Sequence, residues 1–380
     1  MNIPSFKPYL SEKEKKYVID AMERSQISGD GYYTERVTAF IENSFKAHKA
    51  LMMTSGTHAL ELAAILANLG PDDEVIMPSF TFSSTANAVL LRGAKPVFAE
   101  VEANTLNIDP ADLERKITTK TKAMIPVHYA GVACDMDRLM AIASNHHLQV
   151  IEDAAQGVNA KYRGRNLGTI GDFGCYSFHG TKNYTCGEGG ALLINQKNTQ
   201  LIEKAEIIRQ KGTNRCQFLR GDVHNYNWLD WGSSYSPSDM LMAVLLAQLE
   251  AMQEITEKRK AVYAAYRHAF EPYEKQGILR MMEISSECDA NYHIFWVMFN
   301  SQAIRDFVLA ELKSRGVAAS FHFLPLHSSP MGRKMGYKPS DLPITEKSAQ
   351  GLLRLPLYAG MTEDEYHFVL KAAEAVIGGL

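Results

Sequence analysis

The chain offers little for a covalent or metal framework. Its five cysteines (Cys134, Cys175, Cys186, Cys216 and Cys288) are odd in number, widely spaced, and form no CxxC pair. That pattern excludes a disulfide scaffold and carries no zinc signature. No stretch approaches the roughly 18 to 20 apolar residues needed to span a bilayer, and the opening segment, MNIPSFKPYLSEKEKKY, lacks the basic-then-apolar order of an export signal. Neither charge dominates: 40 basic and 43 acidic residues leave a net −3, and no basic stripe marks a nucleic-acid or membrane surface. Repeats, low-complexity tracts and the GxxxxGK-S/T phosphate loop are also missing. Reduced thiols without an export signal lead to the expectation of a cytoplasmic protein.

What is present is apolar sequence in quantity. At 46% of 380 residues it suffices for a full core, and the length fits two to three domains. Between residues 50 and 195 short apolar runs alternate with segments of helical spacing, which predicts an α/β sheet. Seven runs qualify as strands: Ala50–Thr54, Glu74–Pro78, Pro96–Val101, Ala123–Val127, Gln149–Glu152, Gly174–Phe178 and Ala191–Asn195. Most are continuously apolar, as expected of strands covered on both faces. Helices are predicted over Thr57–Asn68, Ser83–Leu91 and Met136–His147, and the crossovers are long enough for parallel pairing. A long amphipathic helix is expected from about Ser238 to Ala269, linking a large domain (1–250) to a smaller C-terminal α+β domain (251–380). The smaller domain should contain strands His293–Met298 and Ala318–Phe321, and helices Ala303–Ser314 and Glu363–Ile377.

Chemistry gathers at two segments. VIEDAAQG closes a buried strand on Glu152 and Asp153, where open α/β sheets place their ligands; read alone, Asp153 is equally a helix N-cap. Lys182 follows Asp153 by 29 residues, in the Gly-flanked turn of CYSFHGTKNYTCGEGG. An amine able to form a Schiff base, beside a carboxylate able to keep a pyridine nitrogen protonated, is what pyridoxal 5'-phosphate (PLP) chemistry requires. A lysine released from the cofactor is then placed to carry the substrate's Cα proton. LMMTSGTHALELAA supplies a phosphate anchor, because Ser55-Gly56-Thr57 opens a helix whose N–H groups and dipole favour an anion. The same segment also reads as an ordinary strand-to-helix turn.

Taken together, SGTHAL, PSFTF, EDAAQ and SFHGTKNYTCGEGG, with PVHYAG at 126–131 and FHFLPLH at 321–327, resemble the DegT family of sugar aminotransferases over nearly the whole chain. The resemblance implies a fold type I PLP-dependent transferase, a three-layer domain with a mixed seven-stranded sheet plus the smaller domain. It assigns Lys182 as the Schiff-base lysine, Asp153 to the pyridine nitrogen and Gln156 to the ring hydroxyl. Gly56, Thr57 and Ser177 go to the phosphate, and Phe82 stacks on the ring. Where many members carry an Asn from the neighbouring subunit, this chain reads GSSYSPSD with Ser236. The partners implied are a nucleotide sugar, L-glutamate and a second copy of the chain in a homodimer that shares its active sites. Arg209, Lys211, Arg215 and Arg220 are candidates for a cationic loop over the pocket, and His322 and His327 for sugar contacts. A PLP-dependent sugar dehydratase of the same fold replaces the lysine with histidine, so Lys182 argues for amino transfer.

Overall fold

A computed structural model describes all of residues 1–380. All seven apolar runs are strands: β1 (Lys49–Met53), β2 (Glu74–Pro78), β3 (Lys95–Ala99), β4 (Thr121–Met124), β5 (Gln149–Asp153), β6 (Phe173–Ser177) and β7 (Gly190–Ile194). They form one sheet in the order β1-β7-β6-β5-β4-β2-β3. Alternate side chains enter two different cores. Ala50, Met52, Met124 and Val150 pack with helices Tyr32–Phe45, Met136–His146 and Asp239–Glu250, while Leu51, Met53, Ala123 and Ile151 pack with Gly56–Leu66, Ser83–Leu90 and Thr199–Arg209. Helices on both faces explain why the strands read as unbroken apolar runs.

Parallel pairing holds from β3 through β2, β4 and β5 to β6. The exception is β7, which runs antiparallel to both β1 and β6. The link between β6 and β7 is a loop, Phe178–Gly189, instead of a helical crossover, so the chain returns beside itself with Ser177 opposite Gly190. The carboxyl ends of β1, β2, β4, β5 and β6 therefore open along one edge, the edge where such sheets bind ligands.

The C-terminal residues build a second core on an antiparallel sheet ordered Leu279–Met281, Phe295–Phe299, Leu352–Leu355. Helices Met252–Lys275, Gln302–Ser314 and Glu363–Ile377 cover it through Tyr266, Phe270, Val308, Leu312 and Val369. Phe80, Tyr129 and Ala130 from the large sheet's edge enter this same core, as does Ile3, which pairs with Val317.

Two expectations need correcting, and one pair of helices was not expected at all. The helix over 238–269 is two helices, Asp239–Glu250 and Met252–Lys275, parted at Ala251 (φ −97°, ψ 8°). The first is buried nearly all round and packs on Glu12–Glu23 and Tyr32–Phe45, whereas the second turns its apolar face to the other core. Ala318–Phe321 is not a strand: it makes only single bridges, Val317 to Ile3 and Ser320 to Arg354, before running on extended toward Pro325. The two N-terminal helices escape the apolar-period reading, although a capping box, Ser11 N–H to Glu14 Oε2 at 2.8 Å, marks where the first begins.

Candidate active site

A cavity of about 530 Å3 lies at the carboxyl edge of the sheet, closed on its far side by residues of the C-terminal unit. Strand alternation separates the two consecutive acids of β5. Glu152 turns into the protein, where Oε1 accepts the N–H groups of Ile170 and Gly171 (both 2.6 Å) and Oε2 accepts that of Gly168 (2.8 Å) and meets His128 Nε2 at 2.9 Å. Its work is to hold the loop before β6. Asp153 faces the cavity, where its Oδ2 accepts the Thr85 hydroxyl at 2.8 Å and its Oδ1 the Ala155 N–H at 3.2 Å. Thr85 is in turn bonded to Thr81, Oγ1 to Oγ1 at 2.8 Å. Burial pushes the Asp153 carboxyl above the usual carboxylate range, with Thr85, Ala155 and the charge of Lys182 opposing it.

Lys182 lies in the loop between β6 and β7 and lines the same cavity. Desolvation lowers its ammonium to about 8; the Asp153 charge acts upward and the Arg354 charge downward. An amine so placed is neutral, and therefore nucleophilic, at far lower pH than an exposed lysine. Its loop is anchored by Lys182 N–H to His179 O (2.9 Å) and Gly180 N–H to Gly187 O (2.8 Å).

Ser55, Gly56 and Thr57 sit where β1 runs into its helix, with Ser55 capping the His58 N–H at 3.0 Å. Gly56 has to be glycine: a Cβ there would stand 2.9 Å from Ser177 Cβ and 3.2 Å from Tyr176 O. A second helix, Ser83–Leu90, begins beside the first, and Thr57 Oγ1 lies 2.7 Å from Ser84 Oγ. Two helix N-termini and the hydroxyls of Thr57, Ser84 and Ser177 thus line one end of the cavity, a neutral cup for a phosphate. Phe82, 60% exposed, stands at the rim 6.4 Å from the Phe323 ring centroid. Gln156 accepts the Ala130 N–H at 2.8 Å through Oε1, which leaves its NH2 as a donor toward the cavity it lines.

The substrate candidates divide. His322 lines the cavity, with Nδ1 2.6 Å from the Tyr129 hydroxyl and its ring stacked 3.8 Å from Phe323. Burial pushes it well below the ordinary histidine range, so it is a neutral imidazole. His327 is elsewhere and fully buried: Nδ1 meets Ser79 Oγ at 2.7 Å and Nε2 lies 3.4 Å from Glu346, so it clamps the C-terminal unit to the end of β2. Arg220 is paired with Glu206 (2.8 Å) and Asp222 (2.9 Å), and Arg215 lies 3.8 Å from Asp30; neither lines this chain's cavity. Arg209 is buried against Asp30 (2.7 Å) and the Met52 carbonyl (2.7 Å), so it is structural, and Lys211 likewise lies outside the cavity. Ser236 Oγ accepts from Gln210 at 2.8 Å.

Sequence reading passed over Thr81, Thr85, His293, Arg259 and Arg354. Thr81 sits in the quoted segment PSFTF and Thr85 four residues on, in STANA at 84–88, but nothing in their spacing shows that they reach Asp153. Arg354 had a signal, a single cation inside the apolar run LLRLPL.

A doubly covered α/β sheet with an acid, an amine and a phosphate cup around one edge cavity defines a fold type I PLP-dependent transferase. The chain belongs to the DegT/DnrJ/EryC1/StrS aminotransferase family, whose profile matches residues 8–374. It is 33% identical to the GDP-perosamine synthase of Caulobacter vibrioides (97% of each chain covered) and 32% identical to the spore coat polysaccharide biosynthesis protein SpsC of Bacillus subtilis (99% and 97%). Its backbone matches the aminotransferase from Psychrobacter cryohalolentis with a TM-score of 0.92 at 28% identity, over 98% of both chains. It is accordingly a PLP-dependent sugar aminotransferase. The residues fit that cofactor: the Gly56 cradle suits a phosphate, Asp153 is a buried acid without a cationic partner of its own, and Lys182 has a depressed amine.

Proposed function

We propose that the chain transfers the amino group of L-glutamate to the 4-keto carbon of a dTDP-linked 4-keto-6-deoxyhexose, giving dTDP-4-amino-4,6-dideoxygalactose and 2-oxoglutarate. The observation that carries amino transfer is Lys182, which lines the same cavity as Asp153 and has its amine lowered to about 8. The sugar and nucleotide rest on the sequence stretches STANA (84–88), VHYAGVAC (127–134), GDG near residue 30 and RGDVHNY near 220, which resemble the enterobacterial transaminase that makes this product.

PLP supplies an electron sink for the carbon that loses its proton. The chain's residues do the rest. Lys182 Nζ holds the cofactor and moves the proton; Asp153 keeps the pyridine nitrogen protonated. Gln156 donates to the ring hydroxyl, and Gly56, Thr57 and Ser177 hold the phosphate while Phe82 covers the ring. His322, kept neutral and hydrogen-bonded to Tyr129, faces the sugar. We propose a homodimer, with the exposed side chains Trp228, Trp231, Tyr226 and Phe218 buried against the second copy; Arg215, Arg220 and Ser236 are carried by the same stretch of chain and serve the partner's cavity.

The test is product analysis. Enzyme, L-glutamate and dTDP-4-keto-6-deoxyglucose should yield a 4-amino sugar whose proton couplings give the galacto configuration. The gluco epimer, or amination at carbon 3, corrects the reading. The GDP-perosamine synthase relatives favour a second reading, a GDP-linked 4-keto-6-deoxy sugar, and a higher kcat/KM for that nucleotide decides for it.

A further inference from the structure

We propose that Arg354 receives a carboxylate of the amino donor; this rests on the transaminase reading above. Two largely buried arginines line the cavity, and they are used differently. Arg259 spends its guanidinium on backbone: Nε donates to Tyr292 O at 3.0 Å, and Nη2 to the carbonyls of His293 and Leu357. Arg354 makes no ion pair and no side-chain hydrogen bond, and its Nε is buried without a partner. Its backbone, by contrast, is held on both sides. It pairs with Trp296 across the sheet, and exchanges two hydrogen bonds with Ser320 (2.7 and 3.1 Å).

A guanidinium has five N–H donors and stays charged in proteins. Burying one without a counter-charge is costly, and the cost is recovered when an oxyanion enters. The phosphate cup is a different place, built from Ser55–Thr57, Ser84 and Ser177. Arg354 instead belongs to the amine end of the cavity: its backbone is bridged to Ser320, two residues before the cavity-lining His322, and its charge is felt by Lys182, His293 and His322.

Both reactants that visit Lys182 are anions. In an amino acid, the carboxylate is one bond from the carbon that must meet the lysine. In a 4-keto nucleotide sugar, the width of the hexose separates the diphosphate from the reacting carbon. A planar carboxylate also matches the guanidinium fork. The amine end of the cavity therefore suits the donor.

The experiment is calorimetric titration of the PLP-loaded enzyme with glutarate, an unreactive dicarboxylate of glutamate's length, and separately with dTDP. Arg354→Gln is expected to weaken glutarate at least ~10-fold, the order of one charge-assisted bidentate pair, while dTDP affinity stays within ~2-fold and the visible cofactor band is unchanged. Arg354→Lys should restore part of the loss, since it keeps the charge without the fork. If Arg354→Gln does not load cofactor, Arg354→Lys carries the comparison, with the same order of effects expected. Unchanged glutarate affinity overturns the proposal, as does a wild-type enzyme that takes no glutarate. Loss of dTDP in place of glutarate also overturns it and gives the guanidinium to the diphosphate. Failure of the transaminase reading shows differently: wild-type enzyme that binds glutarate, yet whose cofactor band does not shift with L-glutamate.

Discussion

At the scale of single residues, the proposed chemistry depends on two groups whose surroundings displace them from their solution behaviour in opposite directions. Burial lowers Lys182 to about 8 and raises Asp153. Capture of PLP by cofactor-free protein should therefore rise with pH around a midpoint near 8, followed by growth of the visible band, and slow below it as the amine takes up its proton. The sign for stability follows from the same displacement. Between about 8 and the ordinary 10.5 the unfolded chain binds a proton that the folded chain does not, so denaturant titrations of the cofactor-free protein should show stability increasing across that window. Lys182→Ala should abolish turnover and the lysine-linked band together. Asp153→Asn should keep the cofactor while cutting kcat at least ~10²-fold, since the ring nitrogen loses its acid partner. Thr85→Val leaves a buried carboxylate oxygen without its hydroxyl, and a cost of roughly 1–3 kcal/mol should appear in urea melts.

At the scale of elements, the site is a set of strand ends, and this is why so much of it was legible. Unbroken apolar runs gave the strands, and the residues at or just past their ends (Ser55 to Thr57, Asp153, Ser177) fall at the sheet's edge because strands end there. What stayed hidden was whatever depends on contacts between distant segments. Thr85 reaches Asp153 from a different helix. His327 looked like Lys182's neighbour His322 in the same FHFLPLH segment, yet the two part because the chain is extended there and five residues carry it from the cavity to Ser79. A mixed sheet was expected, but which strand runs antiparallel in it was hidden as well, since nothing in an apolar run fixes its direction. Packing at the Gly56 turn makes a sharp prediction: Gly56→Ala should force the helix away from β6, costing about 1–3 kcal/mol by overpacking and weakening PLP, read by cofactor release on dilution.

At the scale of the whole molecule, two cores share the work of enclosing the cavity. Phe80 and Tyr129 extend the C-terminal core onto the sheet's edge, and the His327–Ser79 contact fastens the two units. His327→Ala should lower the thermal midpoint while leaving the cofactor band of folded protein unchanged. The exposed aromatic stretch from Phe218 to Trp231 predicts a dimer by sedimentation. Trp228→Ala with Trp231→Ala should shift it toward monomer and depress activity in parallel. The wall contributed by His322 and Phe323 differs in kind from the opposite one. The lysine loop springs from two strands locked in register, whereas this wall follows a lone bridge at Ser320. Reshaping it disturbs no ladder of hydrogen bonds, so a laboratory library that randomised these positions could trade one sugar for another while the bond-making machinery stayed intact.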